Sequence, residues 1–281
     1  MKTNKQKTVR LVESALLLAV ATVLGELALA RLPYGGSITV ASMLPVLLIA
    51  YRHGTLWGLC CGVCYGAIQQ LLGLSSLSYF STWQSIVAII LLDYVIAFAV
   101  IGLGGLCRCL PVHQSVQLLG GALLTSVLRY ACHVISGATV WAGLSIPTEA
   151  ALTYSFIYNA TYMLPEAIVL CAVAYYLGGV LDFGRAEIRR MPAVATPSRA
   201  ANLLRALSGL VALAAFAFDT VTVFARLQNA ETGEFDLANL RVERFAGSFW
   251  MAAAIVTAVA VVACTVMLLY RKRLLRAAQA A

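Results

Sequence analysis

The sequence predicts an all-α polytopic membrane protein. Of its 281 residues, 61% are hydrophobic and only 11% are charged, whereas a soluble domain carries about 25% charged residues. The mean hydropathy is +0.87. The apolar residues are gathered into runs close to the ~20 residues that cross the hydrocarbon core of a bilayer. A lipid-facing surface explains this composition, because no single soluble core of this length buries so much apolar area.

Eight apolar runs give the predicted helices. The first has a basic lead and ends in small residues at 28–30, which also resembles a signal peptide. Its length and the presence of Glu26 favour a retained helix. Pro45 interrupts the short second run, and a turn at residues 52–54 separates it from the third. The predicted spans are residues 11–31, 38–51, 55–74, 84–106, 115–136, 151–178, 203–226 and 246–270.

A polar segment with two prolines divides the chain. We therefore predict a six-helix membrane domain at residues 1–181, a cytoplasmic linker at 182–200 and a two-helix membrane segment at 201–281. Most of the 20 Lys and Arg residues fall in the tails, the linker and the short loops that one orientation places inside. Because basic loops stay in the cytoplasm, both termini are predicted to be cytoplasmic.

The sequence argues against several other classes of protein. The net charge of +8 lies in loops and tails, without the basic and aromatic surface that binds nucleic acid. Cys61-x-x-Cys64 has no second pair and no nearby His, so we expect reduced thiols and no metal. The sequence has no phosphate-binding loop and no obvious nucleophile triad. We expect neither an enzyme nor a bound cofactor, and a membrane enzyme that uses His133 and Asp93 is a minor alternative.

Ionisable residues inside the predicted spans are candidates for function, because placing them in lipid costs about 2.5–3.5 kcal/mol each. Asp93 lies roughly 13 Å below the outer surface at 1.5 Å per residue, and Arg129 and His133 lie at similar depth on one helix face. The three side chains are therefore expected to converge. An Asp93–Arg129 ion pair that only packs the bundle is an equal alternative. Glu166 is deeper and is expected to be structural.

Aromatic residues gather at the same level. A carboxylate, an imidazole, a carboxamide and several aromatic faces together suit a flat, cationic heterocycle, because aromatic faces attract cations and stack on rings. An interfacial position of some Trp and Tyr side chains is the alternative. The residues in question are Tyr79, Trp83, Tyr94, Trp141, Tyr154, Tyr158 and Tyr162, with Asn159 beside them.

Several ordered segments resemble a known family, the thiamine-specific substrate-binding (S) subunits of energy-coupling factor (ECF) transporters of the ThiT type. The resemblance covers about residues 10–180. The segments are GGSI (35–38), SMLP (42–45), YRHG (51–54), GVCYG (62–66), LDY (92–94), HVISG (133–137), WAG (141–143) and YSFIYN (154–159).

The resemblance implies a six-helix bundle with a thiamine pocket near the outer face. Asp93 and Tyr94 would contact the aminopyrimidine, and Trp141 would stack on the vitamin. The other expected pocket residues are His133, Tyr154 and Asn159, with looser matches for Tyr34 as a gating aromatic and for Trp83 as a wall.

The same resemblance implies the partners. Ala15-x-x-x-Ala19 would dock a transmembrane coupling protein, and two ABC-type ATPase subunits would drive release of thiamine inside a bacterial cell. Two features depart from the family: Asp93 stands where Glu is common, and the helices at 203–270 are additional. Capture of another vitamin or of a thiamine precursor, or an ion-coupled carrier, are the alternatives.

Overall fold

The structure, a computed structural model, describes residues 4–32, 36–191, 199–227 and 247–280, which are mostly helical. The chain divides into two compact units, Met1–Met191 and Pro192–Ala281. In chain order the elements are α1 (Asn4–Glu26), β1 (Ala28–Arg31), β2 (Ser37–Thr39), α2 (Leu44–His53), α3 (Thr55–Leu72), a 3₁₀ helix (Leu74–Tyr79), α4 (Trp83–Cys109), α5 (Gln114–Thr139), α6 (Glu149–Val180), β3 (Leu181–Asp182), β4 (Arg189–Arg190), α7 (Arg199–Leu227) and α8 (Gly247–Ala280).

The helices confirm the predicted class of all-α polytopic membrane protein. Six of the described helices are long and apolar enough to cross a bilayer: α1, α3, α4, α5, α6 and, within α8, Met251–Ala277. The predicted span at 203–226 lies within α7. The cytoplasmic position of both termini stays a prediction.

The second predicted span differs most from the observed structure. Residues 37–39 form β2, which pairs antiparallel with β1, and α2 begins only at Leu44, with Pro45 in its first turn. The helix has 10 residues, which rise roughly 15 Å, or about half of the hydrocarbon core. Every residue from Leu44 to Tyr51 is buried. The apolar run therefore reflects a short helix inside the bundle, where no face meets lipid.

Glycines allow α2, α3 and α4 to pack closely. A Cβ atom added at Gly58 would lie 2.3 Å from the Cβ atom of Ala50, and one at Gly102 would lie 2.2 Å from the backbone nitrogen of Leu59. A Cβ atom at Gly62 would lie 2.4 Å from a backbone oxygen of α4. Small residues at such crossings let membrane helices approach to backbone contact. These crossings fix the position of α4, the helix that carries Asp93.

One arginine organises the end of the first unit that contains the α2–α3 turn. Arg52 forms an ion pair with Glu13 of α1, and its side chain is only 6% exposed. It also donates to the backbone oxygens of Phe183 (2.9 Å), Arg185 (3.1 Å) and Ala186 (3.1 Å). The hairpin of β3 and β4 is thereby fixed to the bundle, and the first unit extends to Met191.

The second unit is a pair of helices that pack through small and polar residues. Ala253 and Ala260 of α8 are each 8% exposed. Thr257 donates to the Asp219 carboxylate at 2.7 Å, and the thiol of Cys264 donates to the backbone oxygen of Ser208 at 3.2 Å. Within this unit, Asp219 therefore links α7 to α8.

Candidate functional site

The centre of the candidate site is the carboxylate of Asp93. It lies in Ile90–Ile96, a π-helical stretch of α4, and such stretches often occur at functional sites. One oxygen, Oδ1, lies 2.9 Å from Nδ1 of His133, and the other, Oδ2, accepts a hydrogen bond from Nε1 of Trp141 at 3.1 Å. The side chains of Asp93 and His133 are each 12% exposed. The nearly buried Asp93 carboxylate is thus hydrogen-bonded to His133 in α5 and to Trp141 in the turn that follows α5.

His133 has a second ring nitrogen directed elsewhere. Its Nε2 atom is buried and has no hydrogen-bond partner among the described residues. A buried polar atom without a partner is uncommon and marks a place where a water or ligand atom fits. His133 can therefore use one nitrogen for Asp93 and offer the other to a ligand.

Asn159 connects α6 to α5 at the level of the site. Its side chain is buried, and its Nδ2 atom donates to the backbone oxygen of Ser155 at 2.8 Å and to that of His133 at 3.3 Å. Its Oδ1 atom accepts from the Tyr162 hydroxyl at 2.6 Å. In this arrangement Asn159 holds the helix that carries His133 and orients Tyr162, whose ring centroid lies 6.5 Å from that of His133.

Aromatic rings form two groups beside these polar groups. Trp141 meets Phe80 edge-on, with 4.7 Å between ring centroids, and Tyr79 at 5.8 Å. On α6, Tyr154 and Tyr158 stack nearly parallel, with centroids 6.1 Å apart. Phe80 was not selected from the sequence, although it follows Tyr79 directly and the neighbouring aromatic pair is the signal that points to it.

The strand hairpin of β1 and β2 lies against the tyrosines of α6. A Cβ atom at Gly36 would lie 2.9 Å from the ring of Tyr162 and 3.3 Å from the Tyr158 hydroxyl. The backbone nitrogen of Leu32 donates to the oxygen of Gly36 at 2.7 Å, which closes the base of the loop. Tyr34, the expected gating aromatic, lies outside the described residues.

The remaining expected pocket residues are Tyr94, Trp83 and Tyr154. The Tyr94 hydroxyl lies 3.1 Å from that of Ser76 in the 3₁₀ helix. Trp83 begins α4 and is 70% exposed, and Tyr154 near the start of α6 is 48% exposed. The structure therefore brings together Asp93, His133 and Trp141, while the exposure of the other expected aromatic residues ranges from buried Tyr162 to exposed Trp83.

Arg129 belongs to a separate buried ion pair. Its Nη1 atom lies 3.1 Å from Oε2 of Glu166, with side-chain exposures of 11% and 2%. Glu166 also accepts from the hydroxyl of Thr39 in β2, and the guanidinium lies 4.5 Å from the ring centroid of Phe98. The alternative of an Asp93–Arg129 ion pair is wrong in this structure, because Arg129 pairs with Glu166.

Two further expectations concern metals and docking. Within the described ranges, no cluster of three or more His, Cys, Asp and Glu side chains is placed to hold a metal ion. Ala15 and Ala19 are exposed on α1, as are the larger neighbours Leu16 and Val20. This face of α1 is available to lipid or to another membrane helix.

The fold and the site together define a class: a multi-pass helical membrane protein with a nearly buried carboxylate among aromatic rings. Comparison with known proteins identifies the family. The family model described as Thiamine transporter protein (Thia_YuaJ) matches residues 11–181. The chain therefore belongs to the thiamine transporter family, a family of transporters and not of enzymes, and it is a multi-pass protein of the cell membrane.

Two known proteins resemble this chain. The thiamine transporter ThiT of Bacillus subtilis (strain 168) is 35% identical over 187 residues, which cover 61% of this chain and 92% of that protein. A solved structure of ThiT from Listeria monocytogenes shares 23% identity with a TM-score of 0.48, covering 61% of this chain and 94% of the other. The family match ends at residue 181, so α7 and α8 lie beyond it.

Proposed function

We propose that this chain captures thiamine from the extracellular side and is the substrate-binding subunit of an ATP-driven, ECF-type importer. The observation that carries the proposal is the Asp93 carboxylate, which is nearly buried and bonded to His133 and Trp141. Thiamine carries an amine on a flat pyrimidine and a cationic thiazolium ring. A carboxylate accepts from the amine, and aromatic faces attract the cation.

The roles of the individual residues follow from their chemistry. Asp93 accepts from the aminopyrimidine, His133 offers its buried Nε2 atom, and Trp141 stacks on a ring of the vitamin. The remaining proposed pocket residues are Tyr94, Tyr154 and Asn159, with Tyr34 as a gating aromatic and Trp83 as a further aromatic wall. No step of covalent chemistry is required of any of them.

If ATP supplies the energy for release, another subunit has to hydrolyse it, because this sequence has no phosphate-binding loop. We propose that a transmembrane coupling protein docks on the Ala15–Ala19 face of α1 and that two ATPase subunits complete the importer. Residues 1–181 are proposed as the binding domain, 182–200 as a cytoplasmic linker and 201–281 as an additional membrane segment.

Titration calorimetry of the purified chain tests the binding step. Thiamine, hydroxymethylpyrimidine and riboflavin are titrated separately. The proposal expects submicromolar binding of thiamine and much weaker binding of riboflavin. Tighter binding of hydroxymethylpyrimidine would instead indicate capture of a precursor, and no submicromolar binding of thiamine would contradict the proposal.

Co-purification tests the coupling step separately. The tagged chain, isolated in mild detergent from its own cells, is expected to bring the coupling protein and both ATPases with it. Thiamine uptake that persists after the ATPase genes are deleted would favour an ion-coupled carrier.

A further inference from the structure

Both oxygens of Asp93 have a hydrogen-bond partner within the chain. His133 bonds to Oδ1 at 2.9 Å, and the indole N–H of Trp141 donates to Oδ2 at 3.1 Å. The Asp93 side chain is 12% exposed, so little water reaches it. A buried carboxylate that loses a donor without replacement is strongly destabilised. A ligand that bonds to Asp93 either uses an acceptor position that remains on the carboxylate or takes the place of one of these two donors.

The two donors are held differently. His133 lies within α5, and its backbone oxygen accepts from Asn159, so its backbone is held by two helices. Trp141 lies beyond the end of α5 at Thr139, in a turn that continues through Gly143 with φ of 92°. Rotation about the side-chain bonds of Trp141 moves its indole along the rings of Tyr79 and Phe80 while the backbone of α5 stays in place. Of the two donors, we therefore expect Trp141 to be the one that a ligand displaces.

We propose that Trp141 is a specificity-determining residue whose indole N–H occupies the Asp93 oxygen that the ligand's amine takes on binding. The inference rests on the proposed function and deepens it. A ligand with an N–H donor at this position exchanges one hydrogen bond for another. A ligand with an oxygen there removes the indole donor and places an acceptor against the carboxylate. The exchange admits amine-bearing heterocycles and rejects their oxo analogues.

The proposed exchange also predicts how the affinity for thiamine changes when the indole N–H of Trp141 is removed. Indole is a donor only, so its one role at Asp93 is to supply the hydrogen bond. Without that donor, binding of thiamine no longer has to break a bond to the carboxylate. On the scale of the net contribution of an ordinary intramolecular hydrogen bond, affinity for thiamine should rise by roughly three- to tenfold.

The test replaces Trp141 with β-(3-benzothienyl)alanine through nonsense suppression. This residue keeps the bicyclic ring for stacking and has sulfur in place of the N–H group. Calorimetry is expected to show thiamine binding tightened by roughly three- to tenfold. Unchanged or weaker binding would overturn the inference. The matched control is the same replacement at Trp57, whose indole donates to Ser14 in α1 at 2.9 Å, and it should leave the affinity unchanged.

A second measurement uses the unmodified side chain and does not depend on how the variant folds. The chain is labelled with ¹⁵N at the indole nitrogens, and the Trp141 resonance is assigned by its absence in Trp141→Phe. Thiamine should move that indole proton upfield as its bond to the carboxylate breaks, and the 4-oxo analogue should not. An indole resonance that stays in place in the thiamine-bound chain would overturn the inference. If the unmodified chain binds no thiamine, the proposed function itself fails.

Discussion

The substitution Asp93→Asn tests whether the Asp93 carboxylate binds the ligand or only packs the helix bundle. In Asp93→Asn the side chain keeps its size and one oxygen. That oxygen can still accept from Trp141, and the new amide can donate to Nδ1 of His133 in the tautomer whose Nδ1 atom carries no proton, so both local contacts survive. The amide has no negative charge, and its remaining hydrogen-bonding capacity no longer suits a cationic, amine-bearing ligand.

The expected loss of affinity in Asp93→Asn follows from the interactions that thiamine loses. A hydrogen bond to a charged group is worth about 1.5–3 kcal/mol, and attraction to the thiazolium charge adds to it. We expect Asp93→Asn to lose about 2–3 kcal/mol of binding, or roughly 30- to 150-fold in affinity for thiamine. Its thermal unfolding temperature without ligand should stay close to that of the unmodified chain. Calorimetry and thermal unfolding in the same detergent measure the two quantities.

The second buried carboxylate supplies the matched control. Glu166 is 2% exposed and bonds to Arg129 at 3.1 Å. Glu166→Gln leaves Arg129 buried without its counter-ion, which costs about 3–5 kcal/mol of stability. Affinity for thiamine at low temperature should stay within about threefold, since Glu166 makes no proposed contact with the ligand. If Asp93→Asn bound thiamine normally and only lost stability, Asp93 would be a packing residue and the proposed site would be wrong.

Three further predictions test other parts of the molecule. Trp141→Ala should bind thiamine about 1–3 kcal/mol more weakly than the variant with β-(3-benzothienyl)alanine at this position, on the scale of one ring-stacking contact, because both variants lack the indole donor; equal affinities of the two variants in calorimetry would exclude stacking. Ala15→Leu combined with Ala19→Leu should leave thiamine binding intact but stop co-purification with ATPase subunits, while normal co-purification would place the docking face elsewhere. Gly102→Leu should reduce the thermal unfolding temperature sharply and lower the yield of folded protein, because a Cβ atom there lies 2.2 Å from a backbone nitrogen of α3, and an unaffected unfolding curve would contradict the close helix crossing.

The depth of a residue along a membrane helix can be estimated from the sequence. The direction in which its side chain faces around the helix cannot. Counting residues from the span ends puts Asp93, Arg129 and His133 at one level, and the structure does bond Asp93 to His133. The same counting leaves the partner of Arg129 open, because several helices meet it at that depth. Glu166, from a helix turn expected to be deeper, is the actual partner. Long arginine and glutamate side chains bridge such differences in depth, and residue counting does not include their reach.

Hydropathy also does not distinguish a helix that faces lipid from one enclosed by other helices. Residues 38–51 are apolar enough to predict a span, yet α2 is short and buried on all sides. Likewise, the polar residues after α6 predict a linker, although Arg52 fixes the β3–β4 hairpin through backbone oxygens that have no signature in the sequence. In both cases the missing information is a contact between segments distant in the chain.

The two buried carboxylates differ in where their partners lie, and that difference explains their separate roles. Glu166 pairs with an arginine in the middle of α5 and accepts from Thr39, so it ties the β1–β2 hairpin to two long helices. Both partners of Glu166 lie within regular elements, one in a helix and one in a strand. Asp93 instead has one partner within α5 and one in the turn after it, and we propose that the second partner is exchanged for the ligand. A carboxylate with one exchangeable donor can accept a ligand and recover its own partner after release, which is what repeated capture of a vitamin requires.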